Sequence, residues 1–482
     1  MTLDSNTDLA YLSAADTLAA FRSKELSPVE YLEALIERVE ACEPHLNAVA
    51  DRRYDEARAE ARASADRYAG DGSTARPLEG VAVAIKEEQP MRGRTWTFGS
   101  LAFADGVADF DHPIVERIQA AGGIVHVRTK TPELSCAVYC HSQAWGITRN
   151  PWNTAYSPGG SSGGSGVALA AGYAPLATGS DIGGSIRIPA SLCGVVGLKP
   201  AFGRVPSSPP FNLDQYCHDG PLARVVADCA LLEDVIAGRH RVDQVSIADP
   251  PTVSGTAPDA RGLRVAVCLQ LGDFPLDAAV RANTLAAAAS LTEAGAEVDE
   301  IELPWSMQRI VDVANAHYSG FLVPSMRRTL EGLEHHCCDY TLDFMRIAGA
   351  PAMSFEEGFE AEGQMWEPLG ELFERVDVLL CPTMANEGHL AGEPYLDGID
   401  IDGVHLEAPY IGEMTVPFNI FSRPPVISVP SGRATNGVPT GVQVVARPYD
   451  DVTAFRAAGA LEQAMGQRGV GFMSPDWRPS IG

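Results

Sequence analysis

The sequence predicts an α/β fold in which a large β-sheet is covered by helices on both faces. Short, continuous apolar runs such as 81–85 and 263–268 alternate along the chain with stretches of helical spacing. Because continuous apolar strands are buried on both faces, helices are expected above and below the sheet. No low-complexity linker and no internal repeat interrupts this alternation, so we expect one domain over residues 1–482.

The first 69 residues are predicted to be a helical N-terminal region. Ser27 and Pro28 form a helix start signal, because serine caps the first turn and proline suits its first position. Apolar residues then recur at helical spacing, and a second helix is predicted over 55–68.

The remaining elements follow the same two patterns. Strands are predicted over 81–85, 124–127, 263–268, 297–301, 378–380, 426–429 and 441–445. Helices are predicted over 113–121, 167–171, 227–236, 278–294 and 453–465. The stretch from about 305 to 374 departs from the alternation and is predicted to be a helical insert that caps the sheet.

Composition disfavours two classes of partner. The formal net charge of −27 disfavours nucleic acid and anionic membranes, because phosphate binding requires a basic face. No apolar stretch approaches the roughly 20 residues of a membrane span, and the beginning lacks the order of a signal peptide. The sequence therefore predicts a cytoplasmic protein whose ten cysteines are free thiols.

The candidate metal ligands Cys136, Cys140 and His141 lack a second ligand pair, so no metal is expected.

Two serines lie in glycine-rich loops that suit nucleophilic catalysis. Ser161 and Ser185 each follow a pair of glycines. Glycines allow successive backbone N–H groups to converge on one point, which is how an oxyanion is stabilised. The predicted oxyanion donors are the N–H groups of Ile182, Gly183, Gly184 and Ser185.

Lys86 is the candidate proton acceptor, because no histidine motif accompanies either serine. It closes the apolar run 81–85, which predicts that its amine is buried. Burial favours the neutral form of an amine, and a neutral lysine can act as a general base. The combination of one buried lysine and two glycine-cradled serines in this order is more specific than any of its parts.

These segments resemble the amidase signature family, serine hydrolases that cleave carbon–nitrogen bonds with a Ser–Ser–Lys triad. Similar motifs occupy 77–86, 148–152, 193–200, 203–206, 220–224, 417–419, 441–443 and 447–448. The resemblance thus covers about 70–240 and roughly the last hundred residues. It implies a single large mixed sheet wrapped by helices, and a reaction that needs neither metal nor cofactor.

The resemblance also implies a role for individual residues. Ser185 corresponds to the acylated nucleophile, Lys86 to the base, and Ser161 to a bridging serine that follows a cis peptide bond from Gly160. The residues that support this triad are Ser162, Asp181 and Arg187.

One departure from the family pattern lies beside the lysine. Glu87 stands where the family commonly has aspartate, and Glu88 follows it. This change keeps the negative charge after the lysine, while the local hydrogen bonding is expected to differ.

The resemblance implies a small-molecule amide substrate. The insert contains the aromatic and methionine residues Tyr318, Phe321, Met326, Phe344, Met345, Met365 and Trp366. Such side chains form an adaptable apolar wall, so neutral, apolar or aryl amides are predicted to be preferred. Carbamates, hydrazides and esters remain open, because the same apparatus can cleave them.

Two other functions remain open at this stage. The first is the glutamine-hydrolysing component of a tRNA-dependent amidotransferase, which would need partner chains; the segment 206–212 does not resemble that component. The second is a non-catalytic binding protein on the same fold, which the intact Lys86, Ser161 and Ser185 disfavour. Dimers are common in the family, so a homodimer is one of the oligomeric states left open.

Overall fold

The structure is a computed structural model that describes residues 6–70 and 72–481. Its helices are α1 Asn6–Ala10, α2 Ala14–Ser23, α3 Pro28–Leu46, α4 Tyr54–Ala69, α5 Pro113–Ala120, α6 Gly163–Ala170, α7 Arg187–Cys193, α8 Val226–Ile236, α9 Ala278–Glu293, α10 Met307–Gly320, α11 Leu322–Thr329, α12 Asp339–Ile347, α13 Phe355–Phe373, α14 Pro417–Ile420 and α15 Asp451–Gly466.

The strands complete the chain order. They are β1 Val49–Arg52, β2 Val83–Lys86, β3 Val127–Thr129, β4 His141–Ser142, β5 Gly146–Ile147, β6 Leu176–Asp181, β7 Val196–Lys199, β8 His218–Ala223, β9 Arg264–Val267, β10 Glu297–Glu300, β11 Val378–Pro382, β12 Ile399–Ile401, β13 Val404–Leu406, β14 Val426–Arg433 and β15 Pro439–Ala446. Two short hairpins, β4–β5 and β12–β13, stand apart from the main sheet.

Within the described residues, eleven strands form one mixed sheet in the order β1-β3-β2-β6-β8-β7-β14-β15-β11-β9-β10. Strands β2, β3 and β6 run parallel, whereas β8 lies antiparallel between β6 and β7. Helices pack on the sheet, and the central strands are buried along their length. The α/β fold with a large mixed sheet is therefore confirmed.

Most predicted elements occur within a few residues of their expected bounds. Ser27 caps α3 by accepting a hydrogen bond from the Val29 N–H, and Pro28 is its first residue. The apolar run 81–85 forms β2, whose side chains are all buried. Four strands of the main sheet, β1, β6, β7 and β8, were not predicted.

The stretch 305–374 forms the predicted helical insert. It contains α10 to α13, and α10 packs along α13. Helix α13 begins with a capping box in which Ser354 and Glu357 bond each other's backbone N–H groups. None of the helices in residues 6–70 and 72–481 combines the length and apolar character needed to cross a bilayer.

Candidate active site

The site forms where β2 and β6 end at the same edge of the sheet. These strands are parallel, with Val83 opposite Leu176, so their carboxyl ends lie side by side. Lys86 is the last residue of β2, and its side chain is fully buried. Ser180 lies near the end of β6. Clefts outside the carboxyl ends of parallel strands are the usual ligand sites of α/β sheets.

Ser161 reaches this edge from the glycine-serine loop that leads into α6. The Gly160–Ser161 peptide bond is cis, as the resemblance predicted. A Cβ atom on Gly160 would overlap the carbonyl oxygens of Ala137 and Tyr139, so only glycine fits at this position. The loop is thus threaded tightly between neighbouring backbone segments.

Lys86 Nζ is surrounded by three oxygen atoms. It donates hydrogen bonds to Ser161 Oγ and Ser180 Oγ, each at 2.8 Å, and lies 2.6 Å from Glu88 Oε2. The predicted contact between lysine and bridging serine is therefore present. The contacts with Ser180 and Glu88 were not predicted.

Asp181 anchors the second glycine loop, which carries Ser185, through hydrogen bonds to the N–H groups of the loop. Its Oδ1 accepts a hydrogen bond from the Gly184 N–H at 2.9 Å, and its Oδ2 accepts one from the Ile186 N–H at 3.2 Å. This corrects one predicted oxyanion donor, because the Gly184 N–H points at a buried carboxylate and not at the cavity. In the described part of the chain, no acceptor occupies the N–H groups of the other three donors, Ile182, Gly183 and Ser185.

Arg187 supports this loop from the protein interior. Its guanidinium is fully buried and donates two hydrogen bonds to Asp181, at 2.8 and 3.0 Å. It also donates to the Gln443 and Asn419 side chains and to the Thr415 carbonyl. Burial would raise the pKa of Asp181, but the Arg187 charge and these hydrogen bonds hold it well below its usual range. The loop therefore rests on an ionised, fully paired carboxylate.

Two residues from distant parts of the chain donate hydrogen bonds to the carbonyl groups of the same loop. Tyr318 of α10 donates a hydrogen bond to the Ile182 carbonyl at 3.1 Å. Thr415 donates to the Gly183 carbonyl at 2.5 Å. Fixing the carbonyls in this way also fixes the direction of the following N–H groups.

Ser162 supports the site through its backbone and side chain. Its N–H donates to the Ser185 carbonyl at 3.1 Å, and its Oγ accepts from the Ser180 N–H at 3.3 Å. Ser162 therefore connects the two serine-bearing loops, in agreement with its predicted supporting position.

Two adjoining cavities open onto these residues. The first, of about 90 Å³, is lined by Ser161, Ser180 and Ser185. The second, of about 350 Å³, is lined by several aromatic rings, including Trp96 and Phe110. Glu88 belongs to the walls of both.

The insert contributes part of these walls. Tyr318 and Phe344 line the first cavity, and Met326 lines the second. The other predicted wall residues line neither cavity: the half-buried Phe321 and Trp366 contact Phe211 and Phe421, and Met345 and Met365 lie in the hydrophobic core. The insert thus covers the site, but only three of the seven residues named from the sequence line a cavity.

Glu87 differs from the expectation that it keeps a charge beside the lysine. Its carboxylate turns away from Lys86 and accepts hydrogen bonds from the N–H and Oγ1 of Thr97, at 2.5 and 3.1 Å. Burial raises the pKa of Glu87 to about 7, so its charge depends on pH near neutrality. The carboxylate that contacts the lysine is that of Glu88.

Glu88 was missed because it lies beyond the strand. Residues 87–88 form a turn in which the Gln89 N–H donates to the Lys86 carbonyl at 3.0 Å, so strand alternation does not place the Glu88 carboxylate beside the amine. Ser180, Tyr318 and Thr415 also contact the site, and only Tyr318 had been named, as part of the wall. The sequence motifs alone did not indicate these hydrogen bonds.

Known proteins resemble this chain over nearly its whole length. The family model Amidase matches residues 30–455. An acylamidase of Rhodococcus erythropolis is 34% identical over 470 residues, covering 94% of this chain and 96% of that protein. A component of the glutamyl-tRNA(Gln) amidotransferase of Synechococcus sp. (strain CC9605) is 34% identical over 492 residues, covering 93% and 96%.

A solved structure shows the same fold throughout. A bacterial aryl acylamidase of the amidase signature family superposes with a TM-score of 0.89 at 28% identity, covering 98% of this chain and 99% of that one. The fold and the site define a hydrolase that acts on amides. The chain belongs to the amidase signature family.

Proposed function

We propose that this amidase hydrolyses small neutral, apolar or aryl amides through an acyl-enzyme on Ser185. One observation carries the proposal: the buried amine of Lys86 lies 2.8 Å from Ser161 Oγ, at the edge of the cavity that Ser185 lines. A serine hydroxyl becomes a useful nucleophile only when a base can take its proton.

The proposed reaction extends the hydrogen bond between Lys86 and Ser161 to Ser185. Ser185 Oγ attacks the amide carbon while its proton passes to Ser161, whose own proton passes to neutral Lys86. The carbonyl oxygen becomes an oxyanion, stabilised by the N–H groups of Ile182, Gly183 and Ser185. The intermediate collapses by breaking the C–N bond, and the leaving amine receives the proton through Ser161. Water then hydrolyses the ester on Ser185 by the same proton path.

The walls of the first cavity, which Ser185 lines, support a preference for uncharged substrates. Among the described residues that line the first cavity there is no arginine, lysine or histidine, and its one carboxylate, Glu88, is paired with Lys86. Free glutamine is a zwitterion that would need partners for both of its charges. Desolvating a charge without a partner is costly, so apolar amides should bind better.

A side-by-side assay tests this preference. We expect an anilide or benzamide to be hydrolysed with a higher kcat/KM than free glutamine. Faster hydrolysis of glutamine, or activity that appears only with partner chains, would favour the amidotransferase component, which the similarity to that relative keeps as a second candidate. Phenyl carbamates, hydrazides and esters in the same panel would show how far the preference extends.

Labelling tests the nucleophile independently of the substrate. A fluorophosphonate should add one adduct to the intact protein on Ser185, and Ser185→Ala should lose both the adduct and turnover while unfolding normally. Ser208→Ala is a matched control, because this serine lines only the second cavity. A label on Ser161, or turnover by the Ser185 variant, would exclude Ser185 as the nucleophile. A native protein that takes no label would favour the non-catalytic binding protein.

The base is tested by Lys86→Arg. Arginine keeps the positive charge but does not deprotonate near neutrality, so the variant should lose several orders of magnitude in turnover. An active Lys86→Arg enzyme would exclude this lysine as the base.

We also propose that the chain forms a single domain. One sheet contains β1 near the beginning of the chain and β15 near its end. A chain cut between them would leave strands without partners.

A further inference from the structure

Glu88 lies on the wall that the two cavities share, with its carboxylate on Lys86. Its Oε2 lies 2.6 Å from Lys86 Nζ and accepts hydrogen bonds from Ser135 and Ser180, each at 2.9 Å. We propose that Glu88 is a positioning residue that directs the lone pair of neutral Lys86 at Ser161 and whose negative charge opposes formation of that neutral amine. The inference rests on the proposed function, in which Lys86 takes the proton.

The hydrogen-bond directions decide where the lone pair points. A neutral amine has two hydrogens and one lone pair, and three oxygens surround Lys86 Nζ. A carboxylate only accepts, so Glu88 takes one hydrogen. Ser180 already donates its own hydrogen to Glu88, so it takes the second. Ser161 is the one neighbour left that can donate to the lone pair, as the proposed proton path requires.

The same contact affects the charge of the lysine. Burial would raise the pKa of Glu88, but the Lys86 charge and the hydrogen bonds from Ser135 and Ser180 bring it below its ordinary value. Glu88 is therefore an anion at neutral pH. An anion at this distance stabilises the protonated amine relative to the neutral one, so removing the Glu88 charge should favour the neutral form that the proposed reaction uses.

Other titratable groups around this ion pair do not account for an effect of Glu88 on the charge of Lys86. Burial raises the pKa of the Cys140 and Cys217 thiols, and burial lowers the pKa of His112 despite the nearby carboxylates. Asp219, which lines the second cavity, is paired with Gln89 at 2.7 Å. A change in the pH dependence on altering Glu88 would therefore report the contact with Lys86.

The pH dependence of Ser185 labelling measures the effect without assuming a substrate. The rate of reaction with a fluorophosphonate is measured against pH for the native enzyme and for Glu88→Gln, which keeps an acceptor oxygen but no charge. For Glu88→Gln, we expect the rising limb of the curve of labelling rate against pH to move to lower pH by about one unit or more. Glu87→Gln is the matched control: it removes a neighbouring carboxyl that does not contact Lys86, and its limb should coincide with that of the native enzyme.

The outcomes are distinguishable from failure of the proposed function. A limb of Glu88→Gln that coincides with the native one, on a protein labelled at Ser185, overturns the inference alone. A native enzyme that takes no label on Ser185 overturns the proposed function and this inference with it. If Glu88→Gln shows no cooperative unfolding, Glu88→Asp replaces it: the shorter side chain withdraws the carboxylate from Lys86, so its limb should move in the same direction by less, and an unmoved limb contradicts the proposal.

Discussion

Asp181→Asn is expected to destabilise the protein and to impair catalysis together. In the native protein, the Asp181 carboxylate pairs with the fully buried Arg187 at 2.8 and 3.0 Å and accepts hydrogen bonds from the Gly184 and Ile186 N–H groups. Asparagine removes the charge and turns an NH₂ group towards one of these donors. Arg187 then remains buried without its counter-ion.

The magnitude follows from the burial of both partners. Removing one partner of a buried ion pair costs about 3–5 kcal/mol, since the other charge stays uncompensated. The glycine loop also loses the anchor for its N–H groups, and misplacing oxyanion donors costs about 10²-fold in turnover. Urea unfolding, monitored by tryptophan fluorescence, measures the loss of stability. The kcat for the best amide measures the loss of catalysis.

The exposed pair Asp259–Arg261 provides the control. It has the same two-point geometry, at 3.0 and 2.9 Å, but Arg261 is 81% exposed. Exposed pairs contribute little, so Asp259→Asn should leave the urea midpoint and kcat unchanged. Equal midpoints for Asp181→Asn and the native enzyme, or equal losses for the two variants, would refute the reasoning.

Three further predictions concern the loop and the core. Gly184→Ala should abolish labelling of Ser185, because the backbone has φ +130° and the new Cβ would lie 2.7 Å from Thr415 Cβ; labelling at the native rate would contradict this. Tyr318→Phe should lower kcat about fivefold, since the bond to the Ile182 carbonyl contributes about 1 kcal/mol, and an unchanged kcat would show that the bond does not matter. Burial raises the pKa of Glu462 to about 8, so the folded state binds a proton that the unfolded state releases near pH 4.5. The contribution of Glu462 to stability should therefore be full below pH 4.5 and fall by about 1.4 kcal/mol per unit up to pH about 8, and Glu462→Gln should reduce the slope of stability against pH in urea titrations by that amount.

Elements with local signals were predictable from the sequence. A capping serine and proline mark the start of α3, and five consecutive apolar residues mark β2. By contrast, β8 contains Asp219, Gly220 and Pro221, which are poor strand formers. It is a strand because it pairs with β6 and β7 in the middle of the sheet. That pairing is tertiary and leaves no local pattern.

The sequence by itself determined the residue types of the site, and the tertiary structure decided their contacts. Lys86, Ser161 and Ser185 were identifiable because glycine loops and a strand-end lysine have recognisable neighbours. The bonds from Tyr318 and Thr415 to the glycine loop span 136 and 232 residues, so their partners are set only by how the insert and the sheet pack. The direction of the Gly184 N–H was likewise decided by the buried charge of Asp181. The local sequence identifies the residues of the site, and long-range packing sets the orientation of their side chains and backbone groups.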